Sequence, residues 1–153
     1  MSEVTSILSH PQRALASTIS AGHEIIQLAQ NDLLRKASLP EFGKDTASLK
    51  WIDRTIDTYK ESIKSRIAVM NAATAQVVTL SSSDIGNMDH TAIGAAITTI
   101  TSNIPEIAKG VQIIAALMVD ESVGNKLLDA ARKLCLAFTD LLKATEPDAT
   151  MVR

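Results

Sequence analysis

From Leu15 onward the apolar residues recur in steps of four and three: Leu15, Ile19, Gly22, Ile26, Ala29, Leu33. Residues at that spacing lie on one face of an α-helix, and a strand could not use them. The pattern predicts a first helix over about residues 11 to 37, with Pro11 suited to its first turn. A second and longer track runs Leu49, Ile52, Ile56, Tyr59, Ile63, Ile67, Met70, Thr74, Val77. It predicts a helix over about 46 to 80, which spans ~50 Å at ~1.5 Å per residue. The third track is Ile93, Ile97, Ile100, Ile104, Ile107, Val111, Ile114, Met118, within a helix over about 89 to 119. Its segment Ile97-Thr98-Thr99-Ile100-Thr101 is β-branched, as in a strand, but the helical spacing continues far beyond strand length. The last track is Leu127, Ala131, Leu134, Phe138, Leu141, Thr145, and Leu128, Cys135 and Leu142 repeat beside it every seventh residue. Together these residues form a wide apolar stripe on a helix over about 124 to 146.

The breaks agree with the tracks. Ser38-Leu39-Pro40-Glu41-Phe42-Gly43-Lys44 cannot continue a helix, because proline bars it and glycine permits a turn. Leu39 and Phe42 are expected to fold back as a plug on the bundle end, with Asp45 or Thr46 capping the second helix. Ser81 to Asn87 is the clearest loop, and Asp89 is placed to cap the third helix. Asp120 to Asn125 reads as the turn into the fourth helix, and Glu146-Pro147 ends it. Within the third helix, Asn103-Ile104-Pro105-Glu106 reads as a capping box with proline in the first turn, so the spacing leaves open a kink, a short break or a smooth bend. Residues 1 to 10 carry little pattern and are expected to fray. The outcome is one all-α domain over residues 1 to 153, an up-and-down antiparallel bundle of four long helices.

Composition narrows the function. Of the 153 residues, 46% are hydrophobic and only 3% aromatic, so the core must be aliphatic and nothing offers stacking for bases. The formal net charge is −2 with the basic residues dispersed, which excludes a nucleic-acid footprint. No apolar run approaches the ~18 residues needed to span a membrane, and the N-terminus has no signal-peptide pattern. The single cysteine, Cys135, lies in an apolar stripe and reads as a packed thiol. His10, His23 and His90 are scattered, and His23 has no second ligand one turn away. No metalloprotease, phosphate-loop, paired-cysteine or serine-elbow motif is present. These features point away from an enzyme and toward no cofactor. The pairs Asp57 with Lys60 and Glu61 with Lys64 mark a solvated face. Thr74 and Thr145 occupy apolar slots, and Thr98, Thr99 and Thr101 crowd the third stripe, so their hydroxyls need acceptors within their own helices.

The final helix also carries a more specific pattern. Leu127, Ala130, Ala131, Leu134, Cys135, Phe138, Leu141, Leu142 and Thr145 fill, slot by slot, a sequence that resembles the vinculin-binding helix of talin. Cys135 and Thr145 stand where that pattern has alanine, and Phe138 where it has valine. The stretches Asp89 to Gly94, Ile97 to Asn103, Gly110-Val111 and Ala115 to Leu117, with Leu39-Pro40 and Gly43 to Asp45, resemble the first bundle of the talin rod over most of residues 14 to 147. The talin pattern has no dependable proline at position 105. The resemblance implies a cytoplasmic adaptor module at cell-matrix adhesions. It would link integrin to the actin cytoskeleton and offer its final helix to the vinculin head domain by helix-in-groove recognition. It also implies a fifth helix beyond Arg153 and a groove left open along the other four. The competing reading from the residues is a purely structural bundle or a membrane-surface helix protein. Against the latter, Lys126, Arg132, Lys133 and Lys143 alternate with Asp129 and Asp140.

Overall fold

The computed structural model describes residues 8–84 and 87–147. Among them are four α-helices: α1 His10–Asp32, α2 Thr46–Ser81, α3 His90–Leu117 and α4 Glu121–Thr145. Most of the frayed segment expected at residues 1 to 10, and part of the loop expected at 81 to 87, lie outside the described residues. Each helix begins at a side-chain cap. Ser9 and Gln12 form a reciprocal capping box on α1. Asp45 accepts from the Ser48 amide and hydroxyl, and Asp89 and Asp120 accept from Ala92 and Ser122. Such caps satisfy the amides that a first turn leaves without helical partners.

The buried residues of α1 are Leu15, Ile19, Gly22, Ile26 and Ala29, with Leu33 at its C-cap, so the first track is recovered whole. Helix α3 is central and packs against α1, α2 and α4; α1 also packs on α4, whereas α2 packs chiefly on α3. Level contacts give the directions. Leu15 lies near Gly94, and Gly22 near both Thr101 and Leu142. Gln112 reaches the end of α1, as does Arg132, while Arg66 meets Asn103 and Gly110 sits under Tyr59 and Ile63. Thus α1 and α3 run parallel, and α2 and α4 run antiparallel to them, up and down as expected. A methyl at position 22 would lie 2.8 Å from Leu142 Cδ2 and 2.9 Å from Thr101 Cγ2, so glycine there is what lets α1, α3 and α4 meet.

Five expectations need correction. First, α1 ends at Asp32, not 37. The Asp32 and Arg35 carbonyls are taken by the Gln112 side chain, and the Ala37 amide donates to the Gln112 carbonyl, which diverts the chain. Second, α4 begins at Glu121 rather than 124, because Asp120 caps it. Gly124 makes no turn. It is buried in the helix, where a methyl would lie 3.1 Å from the Ala115 carbonyl oxygen. Third, the capping box at Asn103 does not form. Its amide donates to the Thr99 carbonyl at 2.6 Å and its oxygen accepts from Arg66 at 3.1 Å, and α3 continues unbroken through Pro105. Fourth, the α2 track is inward only at its end. Met70, Ala73 and Val77 are buried, whereas Leu49 is half exposed and Ile52 to Ile67 are partly covered. Fifth, the plug is partial. Leu39 and Phe42 keep over a third of their surface exposed, Phe42 packs on Trp51 with ring centroids 4.8 Å apart, and both line a cleft of about 470 Å³ with Ile52 and Leu117.

Two predictions arise from α3. Pro105 has no amide hydrogen, so the Thr101 carbonyl loses its helical donor four residues on. Pro105→Ala supplies that donor at an exposed position and should stabilise the fold by about 1–3 kcal/mol, read as a higher urea midpoint. Thr101 is the one buried polar residue among those described, and its hydroxyl donates to the Ile97 carbonyl. Thr74 and Thr145 are only half-buried, and each donates within its own helix as expected. The polar cost therefore concentrates at Thr101. Thr101→Val should raise the unfolding midpoint by a small step, about 0.5–1 kcal/mol, while Thr74→Val should move it less.

Candidate functional site

The candidate site is the inward face of α4. The helix suits its dipole, with Glu121 in the first turn and Lys143 in the last. On the outer side Asp129 pairs with Lys133 at 3.1 Å and with Arg132 at 3.3 Å. The Lys133 hydrogen bond, with its charge, holds the Asp129 carboxyl below the usual carboxylate range. The Lys133 pair is solvated and contributes little, whereas Arg132 is partly buried. Of the two pairs expected on α2, only Glu61 with Lys64 closes, at 3.7 Å.

The nine expected residues share α4 but not one environment. Leu142 is fully buried, and Cys135, Ala131 and Phe138 are buried. Leu127, Leu134, Leu141 and Thr145 are half-buried, and Ala130 is exposed. Leu128, which the sequence reading placed in the seven-residue repeat but not among the site residues, is 4% exposed. The buried line is therefore Leu128, Ala131, Cys135, Phe138, Leu142. The helix is turned toward the seven-residue repeat, and the flank at 127, 134 and 141 is left half open. The turn follows from the neighbours. Leu142 fits against Gly22, while Ala131, Leu134, Cys135 and Phe138 border one small apolar void with Leu33, Ile104, Ile107 and Ala108. The signal that could have found this closest approach is Gly22, the one glycine in the α1 track, which leaves room for Leu142.

Polar contacts between α4 and α1 are few and all at the same end. Arg132 donates to the Leu33 carbonyl at 2.6 Å, and Lys36 reaches Glu121 at 3.4 Å. Cys135 is a free thiol whose burial pushes its pKa up, which keeps it protonated and unreactive near neutral pH. Among the described residues no group of three His, Cys, Asp or Glu is placed to hold a metal, and no helix is long and apolar enough to cross a membrane. What this face presents is an apolar stripe packed on α1 and α3.

Comparison with known proteins agrees with the talin resemblance of the sequence. The family model described as Talin, middle domain, matches residues 11–153. The chain is 46% identical over 141 residues to Talin-2 of Homo sapiens, which covers 92% of this chain and 6% of that protein. It is 43% identical over 145 residues to Talin of Oscarella pearsei, covering 95% and 6%. It is 42% identical over 141 residues to Talin-1 of Gallus gallus, again with 92% and 6% covered. The chain thus spans about 6% of the length of these curated relatives.

Proposed function

The chain belongs to the talin family, and on that premise we propose that it is a rod module of a cytoskeletal adaptor whose α4, when released, binds the vinculin head domain. In the intact protein such a module would stand between integrin at the membrane and actin. The observation that carries the reading is the double use of one face. Leu127, Ala130, Ala131, Leu134, Cys135, Phe138, Leu141, Leu142 and Thr145 fit the vinculin-binding pattern, and four of them are buried against α1 and α3. A helix cannot hold two grooves at once, so burial here is inhibition there. Ala130 adds to this reading, because it is exposed on the bundle and its smallness suits close approach of a partner.

The test is a titration of vinculin head domain with a peptide of residues 121–146 and with the same peptide carrying Phe138→Ala and Leu142→Ala. Tight binding of the first and a loss of a hundredfold or more in the second supports the reading. No binding of the unaltered peptide sinks it. Co-sedimentation of the peptide with anionic liposomes, without vinculin binding, would favour the membrane-surface alternative.

A further inference from the structure

The chain closes the end of α1 only in part: the Leu33 amide donates to the Ala29 carbonyl, and the Leu34 and Arg35 amides reach the Asn31 and Asp32 carbonyls at 3.2 and 3.4 Å. No basic residue lies in its last turn and no glycine follows it, and other helices add donors to its last carbonyls. Gln112 of α3 donates to the Asp32 and Arg35 carbonyls, at 2.6 and 3.0 Å. Arg132 of α4 donates to the Leu33 carbonyl at 2.6 Å, and Asp129 orients that guanidinium at 3.3 Å. Leu33 itself is 1% exposed and lies against the α4 face beside Ala131 and Phe138. A charged donor on the negative end of a helix makes a stronger bond than a neutral pair, and the carbonyl left behind gains no donor from its own helix.

We propose that the C-terminal turn of α1 is an autoinhibitory latch on α4, with Arg132 as the catch: its bond to the Leu33 carbonyl holds the binding helix in the bundle. This rests on the reading of α4 as a releasable binding helix. Arg132 lies outside the nine residues of the binding pattern, so it restrains release without taking part in capture. The chain leaves α1 at this turn for the connector to α2. Any strain on that connector acts on the acceptor of the bond, and through it on α4. The other cross-links here, Gln112 and the exposed Lys36–Glu121 pair, tie α1 to α3 and to the start of α4. Among the described residues, Arg132 is the one polar cross-link from this turn to the middle of the buried stripe.

The test uses Cys135, the single and buried thiol on the same face, as a reporter of α4 release. Arg132→Met keeps an unbranched apolar stem and removes the donor. In the full chain it should raise the rate of Cys135 labelling by a disulfide reagent about tenfold under native conditions. Arg132→Lys should fall between the two. Val77→Ala, in the buried part of α2, serves as the comparison because it weakens the fold without touching the latch. At matched global stability, set by urea, Arg132→Met should still label faster than Val77→Ala. Equal rates at matched stability would overturn the latch. Vinculin head capture by the full chain is measured in parallel and should rise with labelling, while a 121–146 peptide carrying Arg132→Met binds as the unaltered peptide does. Faster labelling with no gain in capture would uphold the latch and overturn the vinculin reading.

Discussion

A peptide of residues 121–146 should bind the vinculin head domain about a thousandfold more tightly than the folded chain does. Burying a large apolar side chain is worth about 1.5–3 kcal/mol, and Leu128, Phe138 and Leu142 are all buried on α4 in the fold. Cys135 and Ala131 add smaller amounts. Part of this is offset when a released α4 is free to move, and part was never invested, since Leu127, Leu134 and Leu141 are half open. A net opening cost of about 4 kcal/mol is well within what remains, and it corresponds to about a thousandfold in apparent affinity. The check is isothermal titration of vinculin head against chain and peptide in the same buffer. Equal affinities would mean that the bundle does not withhold α4. A ratio that shrinks as urea is added below the unfolding transition would show that the difference is the cost of opening.

The second large effect separates two leucines that the spacing alone treats alike. Leu142 is 0% exposed and packs against Gly22, where three helices meet. Leu142→Ala should cost about 3–5 kcal/mol of stability, because the surrounding backbones cannot close over the void. Leu134 is half-buried beside an existing gap, and Leu134→Ala should cost only about 1–2 kcal/mol. The same pair separates the two roles of α4. In the folded chain Leu142→Ala should increase vinculin capture at low ligand, because the closed state is weakened more than the complex. In the isolated peptide it should only weaken binding. Denaturant melts of both variants, with capture assays on chain and peptide, decide the matter. Similar melting losses for the two leucines would show that the buried line does not run through 128, 135 and 142.

Position 22 shows why such contrasts escape a reading of the sequence. Gly22 sits in the α1 track at a regular four-three step, and the periodicity treats it as one more small inward residue. Only packing shows that its missing side chain is filled by Leu142 and Thr101 from two other helices. Asn103 to Glu106 gives the opposite lesson. The local signals for a helix start were all present, yet Arg66 of α2 and the Thr99 carbonyl one turn back in α3 took the Asn103 side chain and the helix ran on.

The sequence by itself determined that the described residues are all-α, that they form four helices and where most of these start. Those properties follow from short-range physics: a 3.6-residue apolar period, side-chain caps one turn from the amides they satisfy, and proline or glycine at the breaks. It also carried the talin resemblance, residue by residue, in the last helix. The tertiary structure decided which side of each stripe is buried deepest. It turned α4 toward Leu128, Cys135 and Leu142, left the first half of α2 partly uncovered, ended α1 at Asp32 and joined Arg132 to the Leu33 carbonyl. A period of 3.6 fixes a face only to within the width of a side chain. The remaining rotation, and the partners of groups up to 99 positions apart in the chain, are set by how closely neighbouring backbones can approach.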